Sequence, residues 1–289
     1  MSHVTFLGLG RMGLPMSLNL ARAGFAVWAW NRSPREVAGT AGYRLCDTIA
    51  EAADGAETII TMLPDIHEVR QVCAEAFRYA RPGALAVVMG TVSPVAVRAW
   101  ADEVSQAGFR VVDAPVSGGD VGARDGSLSI MAGGTPQDVE VLRAPFATMG
   151  SVVRHLGPVG SGQLAKACNQ IVVAATLTAL GEAVTLGTRG GLDAGELLDV
   201  LAGGLAGSRA LDVKRAKLST HDFTPGGSAA FQHKDLGFAL DAARASGVAL
   251  PVTAIVEQLF GAMRWTGHGG DDHSGVLQVI EALSAAHAQ

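Results

Sequence analysis

The stretch His3-Val4-Thr5-Phe6-Leu7-Gly8-Leu9-Gly10-Arg11-Met12-Gly13 decides how this chain is read. Residues 3–7 form a short apolar run, the pattern of a strand buried on both faces. Gly8, Gly10 and Gly13 follow as a G-x-G-x-x-G pattern, and a helical periodicity carries on to about residue 23. As a bare pattern three such glycines are a weak signal. Between a strand and a helix they take on separate tasks: the first permits a tight turn, the second lets a pyrophosphate approach the backbone, the third lets the helix pack close to the strand. The helix start adds unpaired N–H groups and the positive end of a dipole. A glycine-rich turn with no ligand is the alternative, and the strand–turn–helix setting weighs against it.

The pattern repeats outward from there. Residues 25–30 (FAVWAW), 57–62 (ETIITM), 84–89 (ALAVVM) and 109–113 (FRVVD) read as further strands, with helical stretches over 65–79 and 94–107. Residues 127–132 and 151–155 read as edge strands. Apolar strands alternating with helices predict an α/β domain of Rossmann type, a doubly wound and mostly parallel sheet. Past Gly157-Pro158 strand-like runs stop. Residues 164–187 read as one long helix, apolar on every side, which belongs in a domain core or between subunits. Helices over 194–201, 209–218, 232–245, 251–264 and 274–286 complete an all-α domain. The expected division is therefore 1–158 and 159–289.

Composition narrows the class. The 289 residues are 48% hydrophobic and 17% charged, too apolar for a disordered chain. Glycine accounts for 37 of them, nearly twice the usual share of about 7%, which suits many tight turns. A net charge of −5 leaves no basic surplus for a phosphate backbone, so nucleic acid is not an expected partner. Cys46, Cys73 and Cys168 are scattered and odd in number, a usage that suits a reducing compartment. No positive region precedes an apolar run at the N-terminus, so no signal peptide is expected. Residues 171–187 look too short and too polar for a membrane span of about 20 residues. The expectation is a cytoplasmic protein with no membrane partner.

Four segments carry chemistry. The second strand ends in Trp30-Asn31-Arg32-Ser33, with no carboxylate to bond a ribose 2′-hydroxyl. Arg32 offers a planar fork and Ser33 a hydroxyl to a 2′-phosphate, so NADP(H) is preferred and NAD(H) remains possible; the alternative is that Arg32 and Arg35 are solvated surface charges. Asp113-Ala114-Pro115-Val116-Ser117-Gly118-Gly119 lies past a parallel strand, where ligands bind in open α/β sheets. Ser117, Gly118 and Gly119 can present a hydroxyl and successive N–H groups to a carboxylate, or form an ordinary glycine turn. Lys166 and Asn169 are three apart at the start of the long helix and share a face; a lone helix lysine is commonly a surface residue, but this one sits in apolar company at the domain junction. In His233-Lys234-Asp235, expected to begin a helix, Lys234 can reach a phosphate or ribose or simply pair with Asp235. The cluster His268 to His273 matches no fixed metal-ligand spacing and reads as a helix cap or loop, so no metal is expected.

At these residues the sequence resembles the β-hydroxyacid dehydrogenase family, the 3-hydroxyisobutyrate dehydrogenase-like enzymes. The resemblance covers nearly the whole chain through Gly8 to Met16, Met62-Leu63-Pro64, Asp113 to Gly119, Gly160 to Gln170, and Lys234-Asp235. Gly203 to Ser208 and Gly267 to Ser274 resemble the tartronate semialdehyde reductase branch in particular. The resemblance implies that Lys166 is the catalytic lysine, with Asn169 beside it; that Ser117, Gly118 and Gly119 bind substrate; and that Leu9, Arg11, Met12, Leu63, Pro64, Thr91 and Lys234 lie against the cofactor along with the three glycines, Asn31, Arg32 and Ser33. It implies hydride transfer between NADP(H) and a short β-hydroxyacid or semialdehyde, tartronate semialdehyde first, with the 3-hydroxyisobutyrate pair, another short semialdehyde or glyoxylate as alternatives, and a small carboxylate as the partner besides its own copies. It also implies a homo-oligomer, dimer or tetramer, through the helical domain. Lys166 would stabilise charge on the carbonyl oxygen and protonate it, a task that asks for a pKa below the usual value of about 10.4. Two departures stand out. Val88-Met89-Gly90-Thr91 has Gly90 where relatives commonly carry a hydroxyl, and Asn31-Arg32 replaces the acidic strand end of NAD-preferring relatives. Imine reductases share the architecture but commonly place Asp or Tyr where Lys166 stands. A non-catalytic dinucleotide-binding scaffold is a further alternative, and it has no use for the lysine.

Overall fold

A computed structural model describes residues 3–37 and 39–285. Its first compact unit is Met1–Lys166 and its second Ala167–Gln289. The first is built on nine strands: β1 (Val4–Leu7), β2 (Val27–Trp30), β3 (Tyr43–Leu45), β4 (Thr58–Thr61), β5 (Leu85–Val88), β6 (Arg110–Asp113), β7 (Val116–Ser117), β8 (Leu128–Gly133) and β9 (Gly150–Gly157). The sheet order is β3-β2-β1-β4-β5-β6-β8-β7, with β9 also paired to β8. β1 to β6 pair in parallel, β8 runs antiparallel to β6 and β7, and β9 is parallel to β8. This is the Rossmann order, with the chain reversing direction across the sheet between β1 and β4.

Why these runs form strands is visible in their burial. Phe6 and Ile60 join the core on one face of the sheet, Leu7 and Ile59 the core on the other, as the two-residue period demands. Each such side chain is fully buried and contributes about 1.5–3 kcal/mol of hydrophobic stabilisation. Helices α1 (Gly13–Arg22), α2 (Ile49–Ala53), α3 (Ile66–Ala76), α4 (Pro94–Gln106), α5 (Gly119–Asp125), α6 (Pro136–Val141) and α7 (Arg143–Met149) belong to the same unit. The register matters most for function. Leu7 pairs with Trp30 and Thr61, Thr61 with Val88, and Val88 with Asp113. The carboxyl ends of five parallel strands are therefore level, and the residues that follow them share one edge.

α8 (Ser161–Arg189), α9 (Ala194–Gly203), α10 (Arg209–Thr220), α11 (Ala229–Ser246), α12 (Pro251–Trp265) and α13 (Val276–Ala285) form the helical part. The last residue of the expected final helix, Ala286, lies outside the described residues. Contacts divide the chain inside α8, after Lys166, rather than before the helix. The cause is local: the first turns of α8 are hydrogen-bonded into the Rossmann unit, as described below. At 29 residues α8 is long and apolar enough, by length and composition, to cross a membrane, which corrects the expectation that it is too short. Within the single chain its apolar residues divide by face. Ala174, Leu177 and Val184 are fully buried in the helical core with Leu198, Leu236 and Phe260, whereas Val172 and Leu186 are exposed.

Candidate active site

In the glycine turn the first and third glycines stand where a side chain has no room, and the second stands in open space. Gly8 has φ +103°, and a Cβ there would meet the Met62 carbonyl oxygen at 2.5 Å. A Cβ on Gly13 would meet the Gly8 oxygen at 1.9 Å, so α1 packs directly on the turn. Gly10 has nothing within 4 Å of such an atom, leaving its backbone open to a bulky ligand. Met12 at the start of α1 makes no side-chain cap and no acidic residue sits in the first turn, so the helix start fits an anionic pyrophosphate. Asn31 spends its side chain on the protein: its Oδ1 accepts from Leu9 N (2.8 Å) and its Nδ2 donates to the Ser33 oxygen (2.8 Å). It ties the glycine turn to the loop after β2, where Arg32 and Ser33 are exposed.

From this turn an unbroken line of contacts runs along the sheet edge. A Cβ on Gly8 would lie 2.9 Å from the Leu63 side chain, so the Leu63-Pro64 loop abuts the turn. A Cβ on Gly90 would lie 1.9 Å from the Leu63 oxygen, so that loop's backbone occupies the space a side chain at 90 needs. The missing hydroxyl at position 90 is thus a steric requirement of this chain. Flanking Thr91, the Gly90 oxygen accepts from Gln163 Nε2 (2.8 Å) and Val92 N donates to Gln163 Oε1 (3.0 Å). Asp113, at the end of β6, accepts from the backbone N–H groups of Gly160 (2.6 Å) and Gln163 (2.7 Å). Burial pushes the Asp113 carboxyl up to about 6, against the opposing pull of those two N–H groups, its own, and Arg98. One turn beyond Gln163 stands Lys166, only 8% exposed. A lysine this buried is rare at a purely structural surface position.

Ser117 ends β7 half-buried, and the exposed Gly118 and Gly119 have φ of +136° and +64°, backbone that favours glycine. In the helical unit, Asn169 Nδ2 donates to Gln170 Oε1 (3.0 Å), and Gln170 Nε2 donates to Asp235 Oδ2 (2.8 Å). Lys234 Nζ lies 3.2 Å from Asp235 Oδ1 and 4.7 Å from the Phe238 ring centre. Asn169 and Lys234 are therefore brought into one polar network joining α8 to α11, and Lys234 makes the pairing with Asp235 left open above. His233 to Asp235 do not begin the helix; α11 starts at Ala229. Asp272 caps the turn before α13 through Ser274 N and is bound by Lys214 Nζ at 2.7 Å. Among the described residues no group of three His, Cys, Asp or Glu side chains could hold a metal ion. The sequence reading gave Gln163 and Asp113 no role of their own. The signal available was the three-residue spacing from Gln163 to Lys166, which puts both on one helix face.

Strand order, level strand ends and the glycine turn define a dinucleotide-binding Rossmann protein. Comparison with known proteins narrows this. Residues 3–157 match the family model for the NAD-binding domain of 6-phosphogluconate dehydrogenase, and residues 160–280 that for the NAD-binding domain of NADP-dependent 3-hydroxyisobutyrate dehydrogenase. The chain is 35% identical to 2-hydroxy-3-oxopropionate reductase of Escherichia coli, covering 96% of this chain and 97% of the relative. It is 31% identical to the NAD-dependent L-serine dehydrogenase of Pseudomonas aeruginosa, with 97% and 98% covered. The structure of Mycobacterium tuberculosis 3-hydroxyisobutyrate dehydrogenase with L-serine superposes with a TM-score of 0.85 at 33% identity, covering 97% of this chain and 99% of that one. The chain belongs to the β-hydroxyacid dehydrogenase family, NAD(P)-dependent enzymes that act on the CH–OH group of hydroxyacids.

Proposed function

We propose that the protein interconverts a short semialdehyde and its 3-hydroxyacid with NADP(H), with tartronate semialdehyde (2-hydroxy-3-oxopropionate) as the carbonyl substrate. The observation that carries this reading is the burial of Lys166 one turn past the hydrogen bonds that fix its helix to the nicotinamide-side loop. The relatives' substrates share one skeleton, 3-hydroxypropanoate substituted at carbon 2: a methyl in 3-hydroxyisobutyrate, an amino group in serine, a carboxyethyl group in 2-(hydroxymethyl)glutarate, and a hydroxyl in the product of 2-hydroxy-3-oxopropionate reduction. The Escherichia coli relative supports the hydroxyl, as do Gly203 to Ser208 and Gly267 to Ser274.

A bound nicotinamide supplies the hydride for reduction and takes it up in the reverse direction. The chain does the rest. Ser117, Gly118 and Gly119 hold the substrate carboxylate through a hydroxyl and backbone N–H groups. Lys166 sits as a cation where negative charge builds on the carbonyl oxygen, and gives that oxygen its proton. In the oxidative direction neutral Lys166 accepts the hydroxyl proton. Asn169, three residues on, has no proton to exchange and orients lysine or substrate. Arg32 and Ser33 hold a 2′-phosphate, which favours NADP(H) over NAD(H). Exposed Val172, Leu186, Ile255 and Trp265 in the helical unit support assembly of copies through that unit. The scattered, odd-numbered cysteines support a reducing, cytoplasmic location.

A kcat/KM panel of short 3-oxo and 2-oxo acids with NADPH and NADH tests the reading. Tartronate semialdehyde with NADPH should rank first; a higher value for methylmalonate semialdehyde moves the assignment to 3-hydroxyisobutyrate dehydrogenase. Lys166→Ala should lower kcat about 10²- to 10⁴-fold with little change in cofactor affinity. Near-normal turnover by that variant on every member of the panel would remove the mechanism.

A further inference from the structure

Gln163 is 1% exposed, and both ends of its side-chain amide are engaged: Nε2 donates to the Gly90 oxygen and Oε1 accepts from Val92 N. The two bonds embrace the backbone on either side of Thr91. The same residue's backbone N–H is held by Asp113 Oδ2 at 2.7 Å. One glutamine thus joins the end of β6, the loop after β5 and the first turn of α8. That loop in turn abuts the Leu63 backbone, and Leu63 abuts Gly8 of the dinucleotide turn. At the other end, Lys166 follows three residues later on the same helix face. Around the clamp the packing is close: a Cβ on Gly162 would meet the Met131 oxygen at 2.1 Å, so the helix start lies directly against the backbone of β8.

We propose that Gln163 is a positioning residue for hydride transfer, whose side-chain amide sets the register between the Gly90–Thr91–Val92 backbone and the helix turn that presents Lys166. The proposal rests on Lys166 being the proton-transferring group. Gln163 does not touch the reacting atoms. It acts through the distance between the loop beside the nicotinamide and the amino group one turn away. A misplacement of about 1 Å between reacting groups costs on the order of 10²-fold in rate. The amide suits the task because it is donor and acceptor at once, matching a carbonyl and an N–H in the same loop.

The test is single-turnover oxidation of NADPH by tartronate semialdehyde, read as the rate of absorbance loss, on the full chain. Gln163→Met fills the space and forms neither bond; it should slow hydride transfer about 10- to 100-fold while the NADPH dissociation constant stays within about twofold. Gln163→Glu separates positioning from bulk stability. As a carboxylate it confronts the Gly90 oxygen with another acceptor. Once protonated it regains one O–H donor and one acceptor, the pattern of the native amide. The variant-to-parent rate ratio should therefore climb severalfold as pH falls from about 8 to about 5.5. The charged groups nearby, Asp113, Lys166 and Arg98, are common to both proteins, so the ratio reads the new carboxyl together with its coupling to them. A purely structural role would lower the melting temperature and leave this ratio flat. If Gln163→Met does not fold, the Gln163→Glu ratio, with folding followed by near-ultraviolet circular dichroism at each pH, decides alone. A flat ratio, or a Gln163→Met rate within twofold of the parent, overturns the positioning role while Lys166→Ala still lowers kcat about 10²- to 10⁴-fold. An active Lys166→Ala variant instead overturns the reductase mechanism, and the positioning role with it.

Discussion

Restoring a family-like hydroxyl at position 90 should harm this protein. In Gly90→Ser the new Cβ would stand 1.9 Å from the Leu63 oxygen, against a closest real approach of 3.0 Å, so a backbone must move by about 1.1 Å. The obstacle is a carbonyl, with its carbon at 3.0 Å and the Leu63 nitrogen at 3.1 Å from the same point, so no side-chain rotation relieves it. Overpacking of this kind costs about 1–3 kcal/mol. In a chain of this size each kcal/mol lowers the melting temperature by about 2–4 °C, giving a fall of about 2–12 °C. The movement is shared between the Leu63-Pro64 loop and the Gly90–Val92 backbone held by Gln163, both at the strand ends. A shift of that size should cost turnover on the order of 10²-fold, more than the stability loss alone would. Differential scanning calorimetry and a kcat measurement with saturating NADPH make the comparison. A Gly90→Ser protein with parental melting temperature and undiminished kcat would refute the steric account, and Gly90 would revert to a simple lost contact.

Other consequences can be measured alongside. Asp113, raised by burial to about 6 in the fold from an ordinary 3.8, makes ionisation costly to stability. That cost is absent below pH about 3.8, grows between about 3.8 and 6, and is complete above 6. Protonation nevertheless removes an acceptor from the first turn of α8, so kcat should fall as pH drops below about 6 even as this group's strain is relieved; Asp113→Asn should abolish that limb, and an unchanged limb would disprove the link. Arg32→Ala should cut the NADPH-to-NADH ratio of kcat/KM by about 10- to 100-fold, the worth of a charge-assisted hydrogen bond of about 1.5–3 kcal/mol; an unaltered ratio would make Arg32 a solvated charge. Lys214→Met should destabilise the helical unit by about 3 kcal/mol, the low end for a broken buried pair, because Gly226, Gly227 and Ser274 still donate to Asp272. Burial alone would raise the Asp272 carboxyl, but Lys214, His273 and Ser274 outweigh it and hold it at about 2. Its folded value lies below its unfolded one, so the stabilisation is present above pH about 4 and lost as pH falls through 2, and the gap between parent and variant in denaturant titrations should close over that interval.

The parallel strands were legible because they are buried on both faces: Val4–Leu7 and Leu85–Val88 have no exposed residue and read as continuous apolar runs. β3 escaped notice because Arg44 and Leu45 are exposed at the sheet edge, which blurs its pattern. α5 to α7 were missed for a related reason. The first opens on Gly119, the second on Pro136, and the third carries Pro145, residues that read as turn signals. At the site, the glycine turn could be read because its parts are adjacent in sequence. Asp113 and Gln163 could not, because their partners lie 47 to 73 residues away and only the folded sheet brings them together. Position 90 was visible as a departure, but its cause, the Leu63 carbonyl, was not.

The two hydrogen bonds of Asn31 bear on how such a protein could drift from one dinucleotide to the other. An aspartate there would still accept from Leu9 N, yet it would face the Ser33 oxygen with a second lone pair where the amide now donates. Exchanging that one residue for an acid would thus loosen the loop after β2 that carries Arg32 and Ser33. An acid introduced at position 31 alone therefore costs this loop a hydrogen bond, and a second change would have to bring a new donor to the Ser33 oxygen.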